Sequence, residues 1–305
     1  MQTQDRIPHP IPYQGSKRLL APQIAMFLPA QVDTMYEPFM GSAAMTLYAA
    51  RHGLARRFVL GDLLEPMVTL WRMIVDRPGH VSARYGQLWH GQNPGDPLYF
   101  NRVREDYNRD QDPVSLLYLV ARCVKNSVRF SRDGRFTQSH DRRRLGTPPD
   151  RMAREVHAAS LLLQGRTLFV AGDFADCVSG ARPGDLVYMD PPYEGTSGKG
   201  DRRYFAQLGR ERLIEVMGRL SAHGVTTLVS YDGSCGERTY GDPLPPSLGY
   251  SRHLLDAGRS SQSTLSGRAE VTMESLYCHP PREVQAGCLA QGTVVGAHAT
   301  MGPSG

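Results

Sequence analysis

Four consecutive residues, Asp190-Pro191-Pro192-Tyr193, end the apolar run DLVYMDPPY. The Asp190 carboxylate can accept one hydrogen of an exocyclic amine. The prolines donate no N–H and leave a backbone carbonyl free to accept the other. The Tyr193 ring offers a flat group a stacking surface. Together these residues suit holding an amine nitrogen with its lone pair aimed at an electrophile. The bland alternative is a Pro-rich turn after a strand.

A second constellation lies near the N-terminus, Glu37-Pro38-Phe39-Met40-Gly41-Ser42-Ala43-Ala44. Its small residues let a backbone approach a ligand, and the helix that follows offers free N–H groups. Asp62 stands 21 positions after Gly41, at the end of the next apolar run. In adenosine-binding α/β folds an acidic side chain at such a place takes ribose hydroxyls. The pyrophosphate-binding GxGxxG is absent, so an adenosine cofactor without a pyrophosphate fits better than NAD. S-adenosylmethionine is the obvious one. Upstream, PYQGSK (12–17) is not a phosphate-binding P-loop. Its Tyr13 can stack on a purine and its Lys17 can approach a carboxylate; the alternative is an arm packed on the sheet.

Charge is uneven along the chain. The formal net charge is +5, but Leu119–Arg166 alone carries eleven Arg and Lys against four Asp and Glu. The remainder is therefore slightly acidic. Such a basic cluster attracts polyanions, nucleic acid above all, or is a solvated surface. The 305 residues, 40% hydrophobic and 21% charged, suffice for a large α/β domain carrying an insert. Five Cys, odd in number and without a CxxC pair, argue against a disulfide scaffold or structural zinc and fit a reducing cytoplasm. No apolar run is long enough for a membrane span, and the first residues lack the apolar region of a signal peptide.

These side chains need elements to position them. Apolar runs at 34–39 and 56–62 alternate with helical periods at 45–51 and 63–75, the βαβ pattern of a parallel sheet. A helix is expected over 18–28, broken near Pro22. From 78 the pattern becomes helical, as in 114–124, and is interrupted by a polar, Arg-containing loop at 125–149. Strands resume at 166–174, 185–193 and 224–233, with a helix at 210–223 and late strands at 250–255 and 270–277. The division expected is a cofactor-binding part (1–77), an inserted target-recognition segment (78–165), a catalytic part (166–284) and a Gly/Ala-rich tail (285–305). The fold class is α/β, a Rossmann-like sheet with a mostly helical insert.

In this order, YQGSK, EPFMGSAA, LGD and DPPY resemble the Dam-type N6-adenine DNA methyltransferases, over about residues 10–278. VRFSRDGRF in the insert is similar to that family's VRFN-x-x-G-x-F element. Tyr13 stands where many members have Trp, which keeps an aromatic face. Ala43 replaces the second Gly of the turn. The resemblance implies S-adenosylmethionine contacts from Tyr13, Lys17, Glu37, Pro38, Phe39, Gly41, Ser42, Asp62 and Asp190, with Asp173 of AGDF at the cofactor adenine. It implies a catalytic Asp190–Tyr193 acting on an adenine flipped out of duplex DNA, since a paired base cannot reach a pocket. No metal is required. DNA contacts are expected from Lys125, Arg129, Arg132, Arg135, Gln138, Arg142, Arg143 and Arg144, and from Lys199, Arg202 and Arg203 after the catalytic motif. The expected partners are duplex DNA and a cognate restriction endonuclease, with the enzyme a monomer or weak dimer. Methylation of cytosine N4, of RNA or of a protein Gln, and a catalytically silent DNA-binding module, stand as alternatives.

Overall fold

The computed structural model describes residues 6–93, 96, 98–131, 133–192, 209–235, 238–259 and 271–280. The chain runs α1 (Ala21–Ala25), β1 (Val32–Glu37), α2 (Ala44–Arg51), β2 (Ala55–Asp62), α3 (Glu65–Asp76), α4 (Pro78–His90), α5 (Tyr99–Asp110), α6 (Pro113–Arg122), α7 (Pro149–Leu163), β3 (Thr167–Ala171), α8 (Phe174–Cys177), β4 (Leu186–Met189), α9 (Arg210–Ala222), β5 (Thr226–Cys235), β6 (Arg238–Tyr240), β7 (Ser251–Arg259) and β8 (Val271–His279). The helix expected over 18–28 is shorter. A 3₁₀ turn at Lys17–Leu19 precedes α1, because Pro22 is tolerated only in a helix's first turn.

The strands form one sheet in the order β3-β2-β1-β4-β5-β8-β7, with β6 paired to the end of β5. The first five are parallel, while β8 runs antiparallel to β5 and β7 antiparallel to β8. The chain leaves β1 for β2 and β3 on one side, then returns to β4 and β5 on the other. The switch point therefore lies between β1 and β4. In open α/β sheets the crevice outside the strand C-termini at that point is where ligands bind. Glu37 ends β1 and Asp190 follows β4, so the topology alone brings the two acidic strand ends together.

Strand parity divides the core into two layers. Met35, Phe58, Leu60, Tyr188 and Leu228 face one side, with α2, α3 and the insert helices. Tyr36, Val59, Val187, Met189 and Val229 face the other, with α8 and α9. A strand apolar on both faces reads as a continuous run, which is why β4 is fully buried. In α3, Met67, Val68, Leu70, Trp71, Ile74 and Val75 form one helical face. The α6 helix is buried on every side from Val114 to Ala121, and α7 packs on α3 and α4. Asp112 caps α6, accepting from the Val114 and Ser115 N–H groups at 3.2 Å each, and Pro113 opens the helix.

Candidate active site

The turn after β1 is held from four sides. Gly41 has a positive φ of 40° and Ala43 one of 50°, a left-handed conformation that small residues tolerate best. The Gly41 N–H donates to Asp62 Oδ2 at 3.2 Å, and the Gly41 carbonyl accepts from the Trp71 indole N–H at 2.8 Å. Ser42 Oγ bonds Ser16 Oγ at 2.8 Å, tying the turn to the YQGSK arm. Tyr13 lies over the same glycine, where an added Cβ would sit 3.4 Å from its ring.

Glu37 is buried and does a helix cap's work from outside the helix. Ala43 supplies no capping side chain, and the Thr46 N–H in the first turn of α2 donates to Glu37 Oε2 at 2.9 Å. Burial, opposed by these hydrogen bonds and aided by nearby Asp190, raises its carboxyl to about 7. Asp62 Oδ1 accepts from the Leu64 N–H at 2.9 Å, and desolvation raises this carboxyl to about 6. Both groups thus change charge near neutrality.

The YQGSK arm brings Lys17 to the catalytic strand end. Its ammonium lies 2.9 Å from Asp190 Oδ1 and 3.4 Å from Glu274 Oε2 of β8. Lys17 is buried, and it also donates to the Gly15 carbonyl at 3.4 Å. Pro191 is buried and Pro192 half-buried behind Asp190, whereas Tyr193 lies outside the described residues. Phe39 stacks on Phe174 with centroids 5.1 Å apart. Asp173 is exposed and caps α8, accepting from the Ala175 N–H at 2.8 Å. Pro38 lies under Gly61, where a Cβ would meet Cys177 Sγ at 2.6 Å, so only glycine lets α8 pack there.

The donor set fits an adenosyl cofactor. It combines a glycine turn without room for bulk, an aromatic face at Tyr13, and carboxylates suited to hydroxyls and to a cation. Sequence reasoning missed Ser16, Trp71, Phe174 and Glu274. Ser16 was visible inside the motif itself; the others reach the site only through tertiary packing.

The basic segment is built differently. Phe130 and Phe136 are buried and bridge across it, edge to face at 5.6 Å, and both pack on Tyr107. Asn108 accepts from the Phe136 N–H at 2.7 Å and donates to its carbonyl at 3.1 Å. The expected polar loop is therefore a stapled loop, with Arg129 and Arg135 exposed beside the inward aromatics. Arg135 pairs with Glu105 at 2.5 Å and Arg144 with Asp141 at 2.7 Å. Arg142 and Arg143 are exposed, and so is Lys125, held at φ 58°. Gln138 is half-buried, and its Oε1 accepts from the Ser139 N–H at 3.1 Å. Arg132, Lys199, Arg202 and Arg203, with the tail from 285, lie outside the described residues. No described helix is long and apolar enough to cross a membrane.

A sheet of this topology, with a glycine turn and an acidic strand end at its switch point, defines a Rossmann-like α/β fold with a ligand crevice at that point. The chain belongs to the D12 class N6 adenine-specific DNA methyltransferase family, which it matches over residues 13–262. It is 24% identical to the Type II methyltransferase M.FokI of Planomicrobium okeanokoites over 90% of this chain, but spans only 44% of that protein. Against the Type II methyltransferase M1.LlaDCHI of Lactococcus lactis subsp. cremoris it is 22% identical over 85% of this chain and 91% of the relative. The DNA N-6-adenine-methyltransferase of Escherichia phage P1 is 24% identical over 73% of this chain and 29% of its own length. The family's description names adenine N6 in DNA, and not cytosine, RNA or protein, as the acceptor.

Proposed function

We propose that this chain methylates N6 of an adenine flipped out of a specific site in duplex DNA, in the modification half of a restriction system. The observation that carries the reading is the Lys17–Asp190 contact, 2.9 Å long, at the switch point of the sheet. It joins the first motif of the sequence to the last. The Type II names of two relatives support the restriction setting and an endonuclease partner.

S-adenosylmethionine supplies the electrophilic methyl group when bound. Asp62 would hold the ribose hydroxyls, and the Gly41–Ser42 backbone with Tyr13 would line the adenosine. Glu37 and Asp190 would answer the cofactor's positively charged end. Phe39 and Asp173 are assigned to the cofactor adenine. Asp190 and the Pro191 carbonyl accept the two hydrogens of the substrate amine and aim its lone pair, and Tyr193 stacks on the flipped base. Asp190 need not be a strong base, because the amine sheds its proton readily once it is cationic. Positioning and electrostatics supply most of the acceleration.

Asp190→Ala tests the assignment. Removing this carboxylate forfeits a charge-assisted hydrogen bond and the orientation that it enforces, so methyl transfer should fall by two orders of magnitude or more. Circular dichroism should remain native. A tritiated-methyl assay within about twofold of wild type would move catalysis elsewhere. Modified-base sequencing of DNA from cells expressing the protein reads both the base and the site.

A further inference from the structure

An ammonium has three protons, and among the described residues Lys17 has Asp190, Glu274 and the Gly15 carbonyl as acceptors. Two carboxylates thus share one buried cation. Glu274 comes from β8, an antiparallel strand of the same sheet that lies beyond its five parallel, motif-bearing strands. Its partner across the ladder is Gly233 of β5, just past an irregularity in the register. A Cβ at Gly233 would stand 2.5 Å from the Met273 carbonyl, so the close approach of β5 to β8 beside Glu274 requires glycine. A carboxylate in this position, with its side chain only 20% exposed, is costly without a counter-ion, and Lys17 provides one.

We propose that Glu274 is a positioning residue of the methyl-transfer site, holding the Lys17 ammonium between two carboxylates so that Asp190 shares that cation. The proposal rests on the function given above. If Lys17 belonged to Asp190 alone, the pair would close, and the lone pairs of Asp190 would be spent on the ammonium. With Glu274 taking part of the charge, Asp190 keeps acceptor capacity for the substrate amine. Glu274 acts through Lys17, its ion-pair partner at 3.4 Å.

The test uses Glu274→Gln in the full chain, a near-isosteric change that removes only the charge. The chain has three lysines, Lys17, Lys125 and Lys199, so 13Cε-lysine labelling gives three NMR signals. Lys17→Arg identifies the relevant one. Loss of a carboxylate at this range should lower the Lys17 pKa by about one unit or more. Single-turnover methyl transfer at saturating S-adenosylmethionine and duplex should fall roughly tenfold, with cofactor affinity within about twofold. On a Lys17→Ala background the same substitution should cost nothing further, because coupled residues are not additive. An unchanged Lys17 titration in an active enzyme, or an equal rate loss on both backgrounds, would overturn the proposal alone. A wild-type protein that transfers no methyl to duplex DNA would overturn the functional reading and this proposal with it.

Discussion

The turn at 37–62 and the basic segment at 123–148 are both assigned to ligands, yet they are built by opposite rules. In the turn, the polar groups that shape it have fixed partners: Gly41 N–H on Asp62, Gly41 carbonyl on Trp71, Ser42 on Ser16, Glu37 on the Thr46 N–H. Its carboxylates are raised to about 7 and 6 by burial. In the basic segment the aromatic underside is fixed and the charged outer face is not. Arg135 rests on the exposed Glu105, a pair worth little in water and easily exchanged for a phosphate, and Arg144 on the half-buried Asp141. A small ligand needing one pose is met by a preorganised backbone, whereas a polyanion sampled in many registers is met by exchangeable guanidinium groups.

The largest effect that would break this contrast is in the turn. Asp62→Ala should weaken S-adenosylmethionine by about 10- to 100-fold, because the ribose hydroxyls lose a charged acceptor and the Gly41 N–H loses its anchor. Duplex affinity should stay within about twofold. Calorimetry finding unchanged cofactor binding would place the ribose partner elsewhere and leave the Asp62 bonds purely structural.

A smaller effect is expected in the basic segment. Replacing Arg142, Arg143 and Arg144 together with Ala should weaken every duplex alike and flatten the salt dependence, by roughly one unit of slope per lost phosphate contact. Selectivity among sites should survive, since phosphate contacts position and base contacts specify. Superimposable salt titrations for mutant and wild type would remove this run from the DNA interface. Arg144 contributes least if its Asp141 pair persists in the complex.

The same contrast governs what could be read from sequence. The turn and the Asp190 motif were legible because their chemistry is local: small residues, an acidic strand end and two prolines sit within a few positions of one another. The Gly41–Asp62 spacing pointed to a ribose acceptor, and the bond that Asp62 makes to the Gly41 N–H was not read from it. The parallel strands were legible as apolar runs. Within the insert, α4, α5 and α7 were expected only as a mostly helical region, since Gly86 and the charged face of α5 blur any period. Trp71 and Glu274 were not legible as site residues. Trp71 lies on the buried face of α3, and its indole N–H is spent on a turn thirty residues away. Glu274 interrupts an apolar alternation in β8, and its meaning depends on Lys17 arriving from the other end of the chain. Phe130 and Phe136 were quoted inside a basic motif, but their role as staples needed Tyr107 and Asn108.

The smallest effect sharpens the comparison from the side of stability. Glu37 has an ordinary carboxyl value near 4.5 when unfolded and about 7 when folded. The folded state therefore binds the proton more tightly, and stability falls as pH rises between those values. Its contribution is fully present below about 4.5 and is lost as pH passes through 7; Asp62, raised to about 6, acts in the same direction. Without cofactor, wild-type protein should melt higher at pH 6 than at pH 8. Glu37→Gln keeps an acceptor for the Thr46 N–H and removes the charge. It should gain about 1–2 kcal/mol at pH 8, within the ~3 kcal/mol ceiling that the whole shift allows at 1.36 kcal/mol per unit. The difference in melting temperature between pH 6 and pH 8 should shrink accordingly. The gain should come with weaker S-adenosylmethionine binding, because a neutral amide no longer answers a cationic ligand. A variant that keeps the wild-type difference in melting temperature between pH 6 and pH 8, and still binds cofactor like wild type, would mean that the Glu37 charge serves neither the ligand nor the penalty assigned to it. Such a result would leave Glu37 as the cap of α2 alone.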